Sequence, residues 1–253
     1  MNILEQILDS KRKDMQNMDV CAGAIEPYDT LSLKDSLSSS GISVIAEIKM
    51  KSPSEGDIFP NADPVQIAKD YESAGASAIS VLTDEQYFGG HINILKSVKQ
   101  VVSIPVLRKD FIINRQQIME SGSANADAFL LIAEAITDRN ITGLINFGKE
   151  LNLEALVEIH AEENAEIIAE ISPDIVGVNC RNLKTMITDI SYFDKMVKQL
   201  PVNSIKVAES GIKTADELKY VSDLGYDAVL VGTSLMRTKY PGKALERLLE
   251  GTV

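Results

Sequence analysis

The stretch VIAEIKMKSPSEG, Val44 to Gly56, begins as a strand should, with Val44, Ile45, Ala46 and Ile48 apolar. It then places Glu47 and Lys49 two residues apart, so both side chains leave the strand on one face. A strand with one side in water tolerates such a pair. A buried strand keeps charge only where it is paired or put to use. Which kind of strand this is decides the fold.

Apolar, often β-branched runs recur along the rest of the chain. After VIAEIK come AISVLT from Ala78, IPVLRKDF from Ile104, AFLLIA from Ala128, ALVEI from Ala155, IVGVN from Ile175, IKVAES from Ile205 and AVLVGT from Ala228. Segments of helical period fill the gaps. DPVQIAKDYESAG offers Asp63 as a cap, Pro64 at the first helical position and Gly75 near the stop. TADELKYVSDLG pairs a Thr214 cap with Glu217 three residues on, and ends at Gly225. Strand–helix alternation at this spacing implies parallel strands joined by right-handed crossovers. The reading is an α/β fold, a (β/α)8 TIM barrel, which typically takes about 250 residues; an open doubly wound sheet is the alternative. Residues 1–43 supply no ninth strand and read as an N-terminal helical extension, with helices near ILEQILDSKRKDM and LSLKDSLSS packed on one end of the barrel. No low-complexity linker interrupts the chain, so residues 1–253 read as a single domain.

The net charge of -12 over 253 residues argues against nucleic acid or an anionic membrane as partner. An anionic substrate would then need locally arranged cations and backbone amides. Cys21 and Cys180 suggest reduced thiols, not a disulfide framework. His91 and His160 share no metal-ligand spacing with each other or with a cysteine, so no zinc site is expected. No apolar run reaches the roughly 20 residues of a membrane helix, and Glu5 and Asp9 interrupt any signal-like N-terminus. A cytoplasmic location follows as the expectation.

In barrels of this kind, function sits at the C-terminal ends of the strands. Here those ends carry Glu47 and Lys49, Lys109, Glu158, Asn179 and Glu209. A single charge there is most often a rim ion pair. Five strands ending in such groups point instead to a shared polar mouth. The last two units, AESGI and VGTSLM, put Gly211 and Gly232 at the turns from strand to helix. Glycine lets backbone approach a ligand, and loops after the seventh and eighth strands commonly hold phosphate in this fold.

These residues carry a resemblance that runs nearly end to end. IAEIKMKSPSEG, YFGG from Tyr87, VLRKDFII, LVEIH, VGVNCRNLKT, AESGI and VLVGTSLMR together resemble the indole-3-glycerol-phosphate synthase family. The family closes the ring of 1-(2-carboxyphenylamino)-1-deoxyribulose 5-phosphate, losing carbon dioxide and water, in tryptophan biosynthesis. The resemblance implies a carboxy-lyase with Lys109 as general acid and Glu158 as general base of the dehydration. It implies Lys49 at the substrate carboxylate and as a second candidate acid for one of the steps, Glu47 and Glu209 orienting the lysines, and Asn179 on the sugar hydroxyls or the developing hydroxyl intermediate. Ser52, Arg181, Ser210, Gly211, Gly232 and Thr233 match positions around phosphate and sugar. Phe88, Phe111 and Leu183 match the apolar wall against the anthranilate ring. It implies no cofactor, no metal and no macromolecular partner, so a monomer suffices. Cys180 departs from the asparagine the family commonly has there; by alternation it points away from Asn179. Two rivals remain at this stage. Phosphoribosylanthranilate isomerase leaves the N-terminal extension unused and asks for an acid–base pair other than Lys with Glu. A silent scaffold barrel leaves the ionisable set without purpose.

Overall fold

The computed structural model describes residues 3–15, 27–182 and 187–250. Eight strands form a closed barrel in which every neighbouring pair is parallel. They are β1 (Ser43–Ile48), β2 (Ala78–Leu82), β3 (Val106–Lys109), β4 (Ala128–Ile132), β5 (Glu154–Ile159), β6 (Ile175–Asn179), β7 (Ile205–Glu209) and β8 (Ala228–Val231). Each strand pairs with its sequence neighbours, and β1 closes the ring against β8, with Ala46 opposite Val231. The open-sheet alternative is thereby excluded. The stretch that begins at Val44 is a barrel strand, buried along its whole length.

Alternation sorts each strand into two faces. Val44, Ala46, Val81, Phe129, Val157, Val178 and Val229 pack outward among the surrounding helices. Ile45, Leu107, Leu130, Leu156, Ile175, Val207 and Leu230 fill the barrel interior. Continuing the inward parity towards the C-terminal end replaces these apolar residues by Glu47, Lys109, Glu158, Asn179 and Glu209. The interior is therefore oily below and ionic above. Helix ends follow the local chemistry read from sequence: Asp63 accepts from the amides of Val65 and Gln66, and Thr214 with Glu217 forms a capping box.

The N-terminal helices do not share one end of the barrel, contrary to the expectation. Helix α1 (Ile3–Met15) lies across the C-terminal mouth, and α2 (Leu33–Leu37) closes the opposite end. Leu33 and Leu37 are fully buried and join the interior cluster with Ile45, Ala78 and Ala128. Polar bonds fix this plug: Glu154 accepts from Ser32 Oγ at 2.9 Å and from the Lys34 amide at 2.8 Å. The physical reason for the division lies in partners. α2 matches the apolar lower interior, while α1 carries Lys11, which finds its counter-charges only at the mouth. Among the described residues, no helix is long and apolar enough to cross a membrane.

Candidate active site

A cavity of about 630 Å³ opens at the C-terminal end of the strands. Lys109 stands at its base, with Nζ 2.7 Å from Glu158 Oε2 and 3.4 Å from Glu209 Oε2. Across the mouth Lys49 Nζ meets Glu47 Oε1 at 2.6 Å. The two charges that raised the question of β1 thus face the same space. Glu158 is further held through Oε1, by Asn179 Nδ2 at 3.2 Å and His160 Nε2 at 2.6 Å. Six inward positions from five strands are brought together, as expected.

Burial and proximity set the protonation states. Burial disfavours the Lys109 ammonium, but Glu158, Glu209 and Glu47 outweigh it and hold the lysine's pKa above its usual value. Burial also opposes the Glu158 anion, yet Lys109 and His160 hold its carboxyl well below the usual range. Glu209 goes the other way: burial, and then the neighbouring Glu158 charge, push it well above. The two carboxyls are adjacent and take opposite roles, one anion and one acid.

Two glycines make this packing possible. A Cβ on Gly177 of β6 would sit 2.1 Å from Glu209 Oε1. One on Gly232 would sit 2.3 Å from Glu47 Oε1. Gly232, singled out for approach to a ligand, therefore also gives room to the protein's own carboxylate. Gly177 was not singled out; its inward parity, two before Asn179, was the available signal.

On one flank the cavity is lined by Ser52, Arg181, Ser210, Gly211, Gly232 and Thr233, as expected, and also by Lys213, Ser234 and Arg237. Ser210 and Gly211 both have left-handed backbone, at φ 71° and 83°. For serine this is a strained conformation, retained where surrounding structure enforces it. Ser54 and Glu55, from the short hairpin of Lys51–Ser52 with Gly56–Asp57, bond to Arg181 and Arg237. The opposite flank is apolar. Phe88 and Phe111 pack with ring centroids 6.0 Å apart, and Ile3, Leu4 and Ile7 of α1 add a roof. Leu183 lies outside the described residues. Cys180 is buried with its thiol towards the Ser210 carbonyl at 3.4 Å, away from the acid–base cluster, and burial pushes the thiol up to about 12.

α1 is clasped by Lys11, whose Nζ lies 3.0 Å from Asp84 and 2.8 Å from Asp110. Asp110 also receives Thr83 Oγ1 and the buried Arg108 guanidinium, on the outer side of β3. Burial works against the Asp110 charge, but Arg108 and Lys11 keep its carboxyl below the usual range. A depressed carboxyl contributes stability above its unfolded pKa and loses it as pH falls through the folded value. At neutral pH the clasp is closed. Lys11→Met should therefore raise KM several-fold with kcat little changed, because α1 lines the cavity but carries none of the acid–base groups. Steady-state kinetics at neutral pH would check this, and a collapse of kcat alone would contradict it.

Fold and mouth together define a TIM-barrel protein whose mouth gathers paired lysines and carboxylates between a cationic flank and an aromatic one. Comparison with known proteins narrows this class. Solved structures of 3-hexulose-6-phosphate synthase, one of them from Salmonella typhimurium, share the fold at TM-scores of 0.67 and 0.68 but only 13% and 15% identity. They cover 84% and 83% of this chain, and 100% and 98% of their own. The sequence model of indole-3-glycerol phosphate synthase matches residues 4–248. The indole-3-glycerol phosphate synthase of Halalkalibacterium halodurans is 44% identical, over 98% of this chain and 97% of its own. That of a Geobacillus strain is 46% identical, over 93% and 92%. The chain belongs to the indole-3-glycerol phosphate synthase family.

Proposed function

We propose that this lyase of tryptophan biosynthesis closes the indole ring with the mouth residues in the following roles. The Lys109 ammonium protonates the ketone oxygen of the carboxyphenylamino-deoxyribulose phosphate while the ring carbon bearing the carboxylate attacks the ketone carbon. Loss of carbon dioxide from that carbon restores the aromatic ring. The aniline nitrogen then pushes out the hydroxyl formed from the ketone, which leaves as water with a proton from Lys49, and Glu158 accepts the proton released from the carbon beside the nitrogen. Lys49 meets the substrate carboxylate, Asn179 the hydroxyls, and Glu47 and Glu209 orient the lysines. The cationic flank takes the phosphate, and Phe88 and Phe111 the aromatic ring. Every group named comes from one chain.

The observation that carries this reading is Lys109 between Glu158 and Glu209, at the junction of an aromatic and a cationic flank. A cofactor-free acid–base reaction on an aromatic sugar phosphate uses all three features. Among the described residues, no cluster of His, Cys, Asp and Glu is arranged for a metal ion. The deciding assay incubates the protein with the carboxyphenylamino substrate alone and follows indole fluorescence; absence of signal from folded protein would refute the assignment.

Arg181 offers a narrower check. Its guanidinium bonds Ser54 Oγ at 3.2 Å, and its amide is fixed by Asn179 Oδ1 at 3.0 Å. A phosphate contact made equally in ground and transition states lowers KM without raising kcat. Arg181→Ala is expected to raise KM with kcat nearly preserved. Loss of kcat at unchanged KM would move Arg181 into the chemistry.

A further inference from the structure

His160 follows Glu158 by two residues, so alternation turns its ring inward beside that carboxylate. The imidazole is 8% exposed, and Nε2 lies 2.6 Å from Glu158 Oε1. Its backbone is pinned from two other elements. Glu134, in the turn Ala133–Ala135 after β4, accepts the amides of His160 and Ala161 at 2.9 Å each through Oε1. Tyr192, in the helix Tyr192–Val197, donates its hydroxyl to the His160 carbonyl at 3.0 Å. These bonds fix the backbone that carries the ring, and the contact with Glu158 holds the ring itself. Among the described residues, His160 Nδ1 and the second Glu134 oxygen, Oε2, are buried without hydrogen-bond partners. A protonated ring turns Nδ1 into a donor, and the Glu134 carboxylate that binds the His160 amide adds negative charge beside it.

The charge of the whole cluster points the same way. Four carboxyls (Glu47, Glu134, Glu158 and Glu209) face two ammonium groups, Lys49 and Lys109. Neutrality in a buried site needs two more protons, which a neutral Glu209 and a charged His160 supply. Among the described residues neither buried Glu209 oxygen has a hydrogen-bond partner, and its only ion pair is the long 3.4 Å contact to Lys109, which an anion would tolerate poorly.

We propose that His160 is a positioning residue of this site: as an imidazolium against Glu158, with Glu134 on its backbone amide, it fixes Glu158 as the anion of the Glu158–Glu209 pair and leaves their proton on Glu209. The proposal rests on the reading of Glu158 as the base. The groups facing the ring are Glu158 from β5, Glu134 from the turn after β4 and Lys109 from β3. Burial and Lys109 oppose the ring's charge, and Glu158 and Glu134 overcome them, so its pKa is raised. The imidazolium thus persists above the ordinary histidine range and is lost only as pH rises through the raised value.

His160→Gln retains a donor at similar reach but never carries charge. With the cation gone, the Glu158 carboxyl protonates more readily. The acid limb of the kcat–pH profile should move up by about one pH unit or more, with KM nearly unchanged. A profile merely scaled down, with its acid limb in place, would overturn the proposal. If Glu158→Gln keeps full activity, it is the base assignment that fails, a result distinguishable from the first. A second measurement needs no change at His160: nitrogen NMR of the two histidines, told apart by His91→Gln. His160 should carry both ring protons at neutral pH, and its midpoint should fall in Glu158→Gln. A neutral His160 ring at neutral pH in the unaltered protein would overturn the proposal.

Discussion

Lys109→Ala should lower carbon dioxide release and indole formation together, each by about 10²- to 10⁴-fold, the usual contribution of a general acid. Among the described residues no other cation reaches both Glu158 and Glu209, and Lys49 is paired with Glu47 at 2.6 Å. Alanine cannot protonate the ketone, so the first bond does not form and everything downstream is lost. Removal of the ammonium also takes away the foremost charge that holds Glu158 as an anion, so its folded pKa rises from the wild-type value. The variant should be closest to wild-type stability in acid and lose ground as pH rises through that raised value. Melting curves at several pH values separate this from a simple failure to fold. Near-normal turnover in Lys109→Ala would remove the acid assignment altogether.

Glu158→Gln should fail later in the sequence. Glutamine keeps the shape and a hydrogen-bonding amide but cannot take a proton, so dehydration should slow by about 10²- to 10⁴-fold. Ring closure needs only the acid and should be less affected. A single turnover would then release carbon dioxide ahead of indole. The pairing distance suggests why one carboxylate can serve only after the lysine has acted. While Lys109 is charged, it and His160 hold Glu158 as a weak base. Once Lys109 has given up its proton, that restraint drops and the basicity of Glu158 rises for the second half. Equal slowing of both signals would show that closure needs Glu158 as well, and would refute the division of labour.

The inward parity of Glu47, Lys109, Glu158, Asn179 and Glu209 was legible in the sequence because alternation is a local rule. A strand that is apolar at one position and ionic two residues later declares both its face and its end. His160 was legible by the same rule, although a search for metal-ligand spacing passes over it. The placement of α1 and α2 was not legible. Amphipathic patterning reports that a helix has a face to bury, but not which end of a barrel it meets. The deciding contacts join Lys11 to Asp84 and Asp110, and Ser32 to Glu154, across stretches of chain that no local pattern spans. Gly177 escaped for a similar reason: its need is set by a glutamate on the neighbouring strand.

On the ribosome, the strand that bears Glu47 and Lys49 is the first of the barrel to emerge and the last to gain both neighbours. β2 follows it within a few tens of residues, but the other side waits for β8. Until then β1 presents an open edge, with Val44, Ile45 and Ala46 in reach of any other unpaired strand. The space that admits the Glu47 carboxylate is bounded by Gly232, which is made later still. The catalytic mouth cannot be assembled piece by piece during synthesis. A nascent chain halted before Ala228 lacks the closing seam as well as one side of its active site, and its most exposed edge belongs to the strand the chemistry depends on.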